Sequence, residues 1–496
     1  MTPNVHHHLR IQPYDYQLQG IAYGLQHKRI IIGDEPGLGK TLQSIGIVDT
    51  AEAYPCLVIC PSSLKINWQR EVEKFTSRRA LVLSNSCRTT WPYLLRMGMY
   101  QVAIVNYESL RKFFVYDINV PPRNTFRLRD VVFHEAISVF RSVIIDESHR
   151  VKDSTAQQTI FTKGITYGKE WIILLSGTPV VNRPDDLVAQ LSILNRLQDF
   201  GGASHFRADF CTDPRNPEAE PAVPLRLLSQ KLFEQCLIRR EKAKVLPQLP
   251  NKTRTDLFVE IANRKEYLLA EADLAEYLRQ YTECTDQDIR RKMRMKALVQ
   301  FMTLRALATI GKLPQAIDFI RTFLASGKKL IVFCALHTVV DALQKEFPQA
   351  VSVTGRDSAT DKQAAVDSFQ RNPDCNLIIC SIKAAGVGLT LTAASNVAFI
   401  ELPWTYADCC QCEDRAHRIG QHDNVTCYYL LGHATIDGTI YALIHRKKSV
   451  AAEIMATDDD IPKDTVYFDQ LVKQFLHNSS DYGTEVPAHS RLAHTH

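Results

Sequence analysis

Along the chain, short apolar runs alternate with longer stretches in which apolar and polar residues recur at helical spacing. In the first half the runs are Arg29–Gly33, Pro55–Pro61, Val102–Asn106, Ser142–Asp146 and Trp171–Ser176. Each is rich in Ile, Val and Leu without strict polar alternation, the pattern of a strand covered on both faces. Runs of this kind separated by helix-length segments predict a parallel sheet flanked by helices. The second half repeats the plan with Lys329–Cys334, Ala350–Val353, Asn376–Cys380, Asn396–Ile400 and Thr426–Leu431. The prediction is an α/β protein of two lobes. A first lobe is expected over residues 1–199, helical insertions and a linker over 200–315, a second lobe over 316–456, and an acidic, His-containing tail over 457–496. Within the linker, residues 212–224 carry four prolines and read as an irregular loop. Within the tail, Phe468 to Leu476 is expected to form a short helix that docks back.

Candidate chemistry sits at the carboxyl ends of these runs, where open α/β sheets bind ligands. Gly33 to Thr41, GDEPGLGKT, follows the first run and precedes a helix-like segment. Strand, Gly-rich turn and helix are the context of a phosphate-binding loop. Backbone N–H groups at Gly37, Leu38 and Gly39 can wrap phosphate oxygens, and the helix contributes its positive end. Lys40 offers a charge to the β- and γ-phosphates, and the Thr41 hydroxyl a ligand for Mg²⁺. One position departs from the general pattern: Asp34 stands where a glycine is usual.

Asp146 and Glu147 end the fourth run, in DESH. An aspartate there can hold Mg²⁺ through water, and the adjacent glutamate can orient or deprotonate an attacking water. Ser176 to Pro179 ends the fifth run as a small hydroxyl turn. In the second lobe, Gln411 to Gln421 reads QCEDRAHRIGQ, with Arg415 and Arg418 three apart and so on one face if helical. Two guanidinium groups reaching a γ-phosphate from another lobe would stabilise transition-state charge. Ser381 to Leu389, SIKAAGVGL, offers Gly386 and Gly388 for close approach to a phosphate.

Composition narrows the setting. The 496 residues are 45% hydrophobic and 23% charged, as in ordinary globular proteins. No apolar run reaches the ~18 residues of a membrane span. Many of the thirteen cysteines lie inside apolar runs, so reduced core thiols are expected, and with them an intracellular, soluble protein. Cys409, Cys410 and Cys412 cluster without a second ligand group. The net charge is +5; the tail from Thr457 holds seven acids and three bases, so the remainder carries +9. Two segments concentrate the positive charge. Arg239 to Arg254 has six bases against one acid, and Asp286 to Lys296 has five against two. Each reads either as a solvated helix face or as a contact to phosphates.

Taken together, YQLQG (Tyr16–Gly20), DEPGLGKT, CPSSLKINWQREVEKF (Cys60–Phe75), NYE (Asn106–Glu108), DESH, LSGTPVVNRPDDL (Leu175–Leu187), IRREKAKVLPQLPNK (Ile238–Lys252), KLIVFCALH (Lys329–His337), the segment from Ser381 and QCEDRAHRIGQ resemble, in order and spacing, the Swi/Snf-type helicase-like ATPases of helicase superfamily two. AAGVGLTLTAAS (Ala384–Ser395) and the stretch around Gln411 look most like the annealing-helicase, fork-remodelling subgroup. The resemblance implies two RecA-like P-loop lobes closing on ATP and Mg²⁺, a helical protrusion from each lobe, and double-stranded or branched DNA across the cleft. It implies that Gln17 reads adenine and that Asp34, Glu35, Pro36, Gly37, Leu38, Gly39, Lys40, Thr41 and Gly388 surround the nucleotide. Thr41 and Asp146 would hold the metal, with Glu147, Lys40, Gln411, Arg415 and Arg418 catalytic. Asp-Glu at 34–35 is usual in this family, whereas Pro36 replaces the usual Met. Ser62, Trp68, His337 and Ser381 fall in segments that line the DNA track or couple it to ATP.

The expected activity is ATP hydrolysis driving movement on duplex DNA by a monomeric motor, in the cytoplasm, nucleoid or nucleus, with remodelling or annealing of branched DNA in replication or repair. The alternatives are an RNA-directed helicase of the same superfamily, a motor subunit of a larger complex, and a non-enzymatic binding module with a vestigial nucleotide site, the last opposed by intact Lys40, Glu147 and Arg418. No segment reads as a chromodomain-like or bromodomain-like extension, a zinc finger or a branched-DNA domain, so fork specificity is expected from a protein partner or the core.

Overall fold

The computed structural model describes residues 8–119, 126–177, 184–211, 222–284, 286–385, 389–404, 406–444 and 471–477. Two parallel sheets carry the chain. The first contains β1 (Arg29–Ile32), β2 (Cys56–Cys60), β3 (Ala80–Val82), β4 (Val102–Asn106), β7 (Ser142–Asp146), β8 (Trp171–Leu175) and β9 (Leu237–Ile238), ordered β3-β4-β2-β7-β8-β1-β9. The second contains β10 (Lys252–Val259), β11 (Leu330–Cys334), β12 (Val351–Val353), β13 (Leu377–Ser381), β14 (Asn396–Phe399) and β15 (Val425–Gly432), ordered β10-β15-β14-β11-β13-β12. A small antiparallel pair, β5 (Val115–Ile118) and β6 (Val131–Phe133), stands apart.

Both faces of each sheet are covered, which is why the strands read as continuous apolar runs. Ile31, Leu57, Ile59, Val105, Ile145 and Leu174 enter one core. Their alternating neighbours Ile30, Ile32, Val58, Ile104, Ile144 and Ile173 enter another on the opposite face. The second sheet does the same, with Ile331, Phe333 and Ile378 on one face and Leu330, Val332 and Ile379 on the other. Fully burying one such side chain stabilises by roughly 1.5–3 kcal/mol.

The segment 200–315, expected to hold only helices and loops, contains two strands. Leu237–Ile238 pairs with β1, closing one edge of the first sheet. Lys252–Val259 pairs along its whole length with β15, forming an edge of the second. Its polar alternation hid it, because an edge strand is covered less completely and Lys252 and Arg254 interrupt the apolar pattern. The helix Arg264–Glu283 then packs against the helix Gln287–Leu324, burying Tyr267, Leu274, Leu278, Phe301 and Leu304 between them. Asp286 caps the second helix by accepting N–H bonds from Asp288 and Ile289 at 2.9 Å. This 38-residue helix continues past residue 315 into the core of the second lobe, where Ala316 and Ile320 are buried. The boundary at 315/316 therefore falls inside one helix, just after its internal Pro314.

In the tail, residues 471–477 are helical. Leu471, Val472 and Phe475 are buried in the second lobe, and the Phe475 ring meets Phe301 edge-on at 5.4 Å. The Pro-rich residues 212–221, Thr178 to Arg183 and the rest of the tail lie outside the described residues. All thirteen cysteines are free thiols. Among the described residues no helix is long and apolar enough to cross a membrane.

Candidate functional site

The phosphate loop leaves β1 at its carboxyl end and runs into the helix Lys40–Thr50. Gly37 and Gly39 have φ of +88° and +76°, a conformation glycine adopts without cost. Gly39 is doubly constrained, since a Cβ there would stand 2.4 Å from Gln17 Nε2. Lys40 lies inside the loop and donates to the carbonyls of Asp34 (2.8 Å) and Glu35 (3.4 Å). Burial lowers its pKa, opposed by the charges of Glu147, Asp34 and Asp146. The Gln17 amide donates to Leu38 O at 3.1 Å, and its oxygen accepts from Tyr14 N at 3.0 Å. Pro36 lies against Gly177, where a Cβ would meet the proline ring at 3.0 Å.

Asp34, Glu35 and Leu38 lie behind the loop. The Asp34 carboxylate is completely buried between Arg240, at 2.6 and 2.9 Å, and Gln43 Nε2 at 2.9 Å. Glu35 Oε2 accepts from Lys242 N at 2.7 Å. A carboxylate turned toward phosphates would repel them; turned away, it fixes the loop from behind. Leu38 is buried beside Tyr16 and Leu246.

β7 delivers Asp146 and Glu147. The Asp146 oxygens accept from Trp68 Nε1 and Glu147 N, each at 2.9 Å, and its carbonyl accepts from the Tyr107 hydroxyl at 2.6 Å. Burial, with the neighbouring Glu147, pushes the Asp146 pKa up to about 6. Glu147 sits in the left-handed region, φ +52°, a strained conformation that turns its side chain away from the strand direction. Its Oε2 lies 3.4 Å from His149 Nδ1. Burial raises its pKa against the opposing charges of Lys40 and Arg415.

From the second lobe, the helix Tyr406–Glu413 carries Gln411 and ends before the arginines. Arg415 and Arg418 therefore stand in tight turns, not on a helix face. The helix cannot continue because Arg415 O turns to accept from Leu391 N at 2.9 Å, and Arg415 N bonds Cys412 O at 3.1 Å. Both arginines still face the first lobe. Glu147 is the foremost charge favouring the charged form of Arg415. Arg418 donates to Leu389 O at 3.2 Å, and its Cβ would lie 2.8 Å from a Cβ on Gly37. Burial, together with Arg415, pushes its pKa down to about 10, against the pull of Glu71.

These groups line one cavity of about 730 Å³, with Gln17, Pro36, Gly37, Gly39, Lys40, Thr41, Asp146 and Glu147 on one side and Gln411, Arg415 and Arg418 on the other. Gly388 lies outside the described residues. The Thr41 hydroxyl and the two carboxylates are hard oxygen donors of the kind Mg²⁺ takes. Asp146 already accepts a hydrogen bond on each oxygen, which suits contact through water. Among the described residues no three His, Cys, Asp or Glu side chains converge as ligands, so a metal here would be held largely by phosphates and water.

A model of the SNF2-related domain matches residues 16–309, and one of the helicase conserved C-terminal domain matches residues 311–420. The chain belongs to the SNF2-related family. It is 30% identical over 463 residues to human "DNA annealing helicase and endonuclease ZRANB3", covering 90% of this chain and 41% of that protein. It is 28% identical over 465 residues to the Caenorhabditis elegans homolog of "SWI/SNF-related matrix-associated actin-dependent regulator of chromatin subfamily A-like protein 1", covering 90% of this chain and 62% of that protein. The chain thus spans 41% to 62% of the length of these relatives. Among solved structures, the Sulfolobus solfataricus SWI2/SNF2 ATPase core in complex with dsDNA is 22% identical, covers 92% of this chain and 95% of its own, and gives a TM-score of 0.42.

In this SNF2-related chain four of the six bases of the first basic run are turned inward onto carboxylates, while Lys244 is exposed. Arg240 pairs with Asp34, Lys242 with Asp414 (2.6 Å), and Lys252 and Arg254 with Glu413 (2.8 and 2.6 Å). Burial pushes the Glu413 and Asp414 carboxyls up, but these cations outweigh it and hold both below the usual carboxylate range. Sequence reasoning missed this function because every pair joins residues more than 150 positions apart. The one hint was the alternation of charge around Glu413 and Asp414 opposite an excess of bases upstream. Trp68, placed by resemblance near the DNA track or its coupling to ATP, is buried and bonded to Asp146.

Proposed function

We propose that the chain is an ATP-driven motor that hydrolyses ATP on double-stranded DNA and moves along it, and that this motion remodels or anneals branched DNA. The observation that carries this reading is the shared cavity, lined by Lys40, Thr41, Asp146 and Glu147 from the first lobe and by Gln411, Arg415 and Arg418 from the second; a site so divided would couple chemistry to movement of the lobes. Lys40 and the loop N–H groups bind the β- and γ-phosphates, and Gln17 stands beside the base-binding end. Thr41 and Asp146 would hold Mg²⁺, which supplies neutralisation of phosphate charge. Glu147 orients the attacking water and accepts its proton. Arg415 and Arg418 stabilise charge that develops on the transferred phosphoryl group, and Gln411 completes that side. Opening and closing of the two lobes around each nucleotide would ratchet the DNA backbone past the cleft. The printed name of the human relative supports annealing as one outcome, and a single chain suffices for the motor.

The test compares ATP hydrolysis without nucleic acid and with duplex DNA, single-stranded DNA, a fork or RNA, in the parent and in Lys40→Ala and Arg418→Ala. Duplex or forked DNA is expected to stimulate the parent. Both variants should fall to background, since loss of an arginine finger costs on the order of 10³–10⁵-fold. Stimulation by RNA alone, or turnover indifferent to DNA, overturns the reading.

A further inference from the structure

Resting on that reading, we infer that residues 239–254 form a strap that sets the register between the phosphate loop and the arginine-bearing turn, with Lys242 as its positioning residue. The strap begins at β9 in the first sheet and ends at β10 in the second. Between these strands Glu241, Ala243, Lys244, Pro247 and Gln248 are exposed, while Arg240, Lys242 and Leu246 turn inward and touch both halves of the site.

Toward the loop, Arg240 holds Asp34 and Gln43, and Lys242 N donates to Glu35 Oε2. Glu35 N donates to Arg240 O at 3.1 Å, so the strap and the loop entry are paired through backbone as well. Toward the arginine turn, Lys242 Nζ lies 2.6 Å from Asp414 Oδ1 and donates to His417 O at 3.0 Å. His417 Nε2 meets Pro250 O at 2.8 Å. An apolar cluster seals the same junction: Val245, Leu246 and Leu249 from the strap, Tyr16 and Leu38 from the first lobe, and Ile419 from the second.

Lys242 is the residue where both sets of contacts meet. Its backbone belongs to the loop side and its ammonium to the arginine side. Its side chain is 10% exposed and that of Asp414 6%, so the pair is shielded from salt. Lys242 Cε would also lie 3.4 Å from a Cβ on Gly37, the residue against which Arg418 packs. Asp414 immediately precedes Arg415 and lies four residues before Arg418. The Lys242–Asp414 pair therefore fixes where both guanidinium groups stand over the loop. Lys242 acts through Asp414 and does not itself need to touch nucleotide. The side chain of Arg240, by contrast, bonds first-lobe groups: Asp34, Gln43 and the Tyr16 carbonyl.

The experiment uses the full chain with saturating duplex DNA. Four variants are compared with the parent: Lys242→Met, Asp414→Asn, the two combined, and Lys242→Arg. Steady-state hydrolysis gives kcat and KM, binding of a fluorescent ADP analogue gives nucleotide affinity, and urea midpoints report folding. Misplacing groups that act in the transition state lowers kcat by roughly 10- to 100-fold. Lys242→Met should show that loss with analogue affinity close to the parent's. The double variant should lose less than the two singles added together, because the Lys242–Asp414 pair is common to both; Asp414 also meets Lys252 at 3.4 Å, so Asp414→Asn is expected to be the poorer single. Lys242→Arg should recover part of the rate. A parental kcat in Lys242→Met overturns the inference, as does a loss of rate matched by equal losses of analogue affinity and folded protein. A parent that hydrolyses no ATP with any nucleic acid would instead overturn the functional reading on which the inference rests.

Discussion

Residues 239–254 and 286–296 carry positive charge at similar density, yet they occupy opposite environments. In the first, Arg240, Lys242, Lys252 and Arg254 are largely buried and each faces a carboxylate. In the second, Arg291, Lys292 and Lys296 are exposed along the first turns of the helix Gln287–Leu324, and Lys296 lies over the Tyr277 ring at 4.9 Å. The difference is one of partners. Glu413 and Asp414, far away in sequence, fold back onto the first run. In the second, the acids within the run are Asp286 and Asp288 at its own helix start, of which Asp286 is occupied as a cap, and Arg290 lies over the Tyr281 ring at 5.0 Å. A charge count along the chain thus separates neither burial from exposure nor a structural from a nucleic-acid role.

The largest expected effect lies in the buried run. Arg254→Met removes a two-pronged contact to the fully buried Glu413, at 2.6 and 2.7 Å. Leaving that carboxylate short of a partner costs about 3 kcal/mol or more. A fall in the urea midpoint checks it; an unchanged midpoint would place Arg254 on the solvated side of the comparison.

A smaller effect concerns pH. Glu413 and Asp414 titrate below their usual range when folded, under the influence of Lys252, Arg254 and Lys242 acting against burial. Unfolded, they titrate near pH 4. Their contribution is complete above that range and is lost as pH falls toward the folded values. A Glu413→Gln, Asp414→Asn variant should be less stable at pH 7. Its stability should also decline less steeply than the parent's as pH falls below about 5. Parallel acid-denaturation curves would contradict this.

The smallest effect on stability belongs to the exposed run. Arg291→Gln, Lys292→Gln and Lys296→Gln together should change folding by no more than about 0.5 kcal/mol per site. If this face meets DNA, each phosphate that is no longer neutralised lowers the slope of log affinity against log salt by about 0.9. Duplex binding titrated at several salt concentrations measures it. An unaltered slope would leave both basic runs without a place on the nucleic acid.

Much of the architecture was legible because doubly covered strands announce themselves. Val102–Asn106 and Ser142–Asp146 were bounded to the residue, and most other runs to within one. What escaped were short or edge strands. Ala80–Val82 is three residues long, and Lys252–Val259 presents charges that belong to partners in another part of the chain. The phosphate loop and the acids after β7 were visible as local motifs at strand ends. The turn geometry at Arg415 and Arg418 was not, because a spacing of three fits a helix as well as successive turns. The buried role of Asp34 was equally invisible, since its partner Arg240 is about two hundred residues downstream.

The path of the strap also determines where such a chain can accept new material. Inserting residues between Ile238 and Lys252 would slacken a measured connection that runs beside the nucleotide cavity, and the two lobes would lose their common reference. The helix pair Arg264–Glu283 and Gln287–Leu324 lies downstream of that connection, so extra material on its exposed face would leave the spacing of the motor untouched.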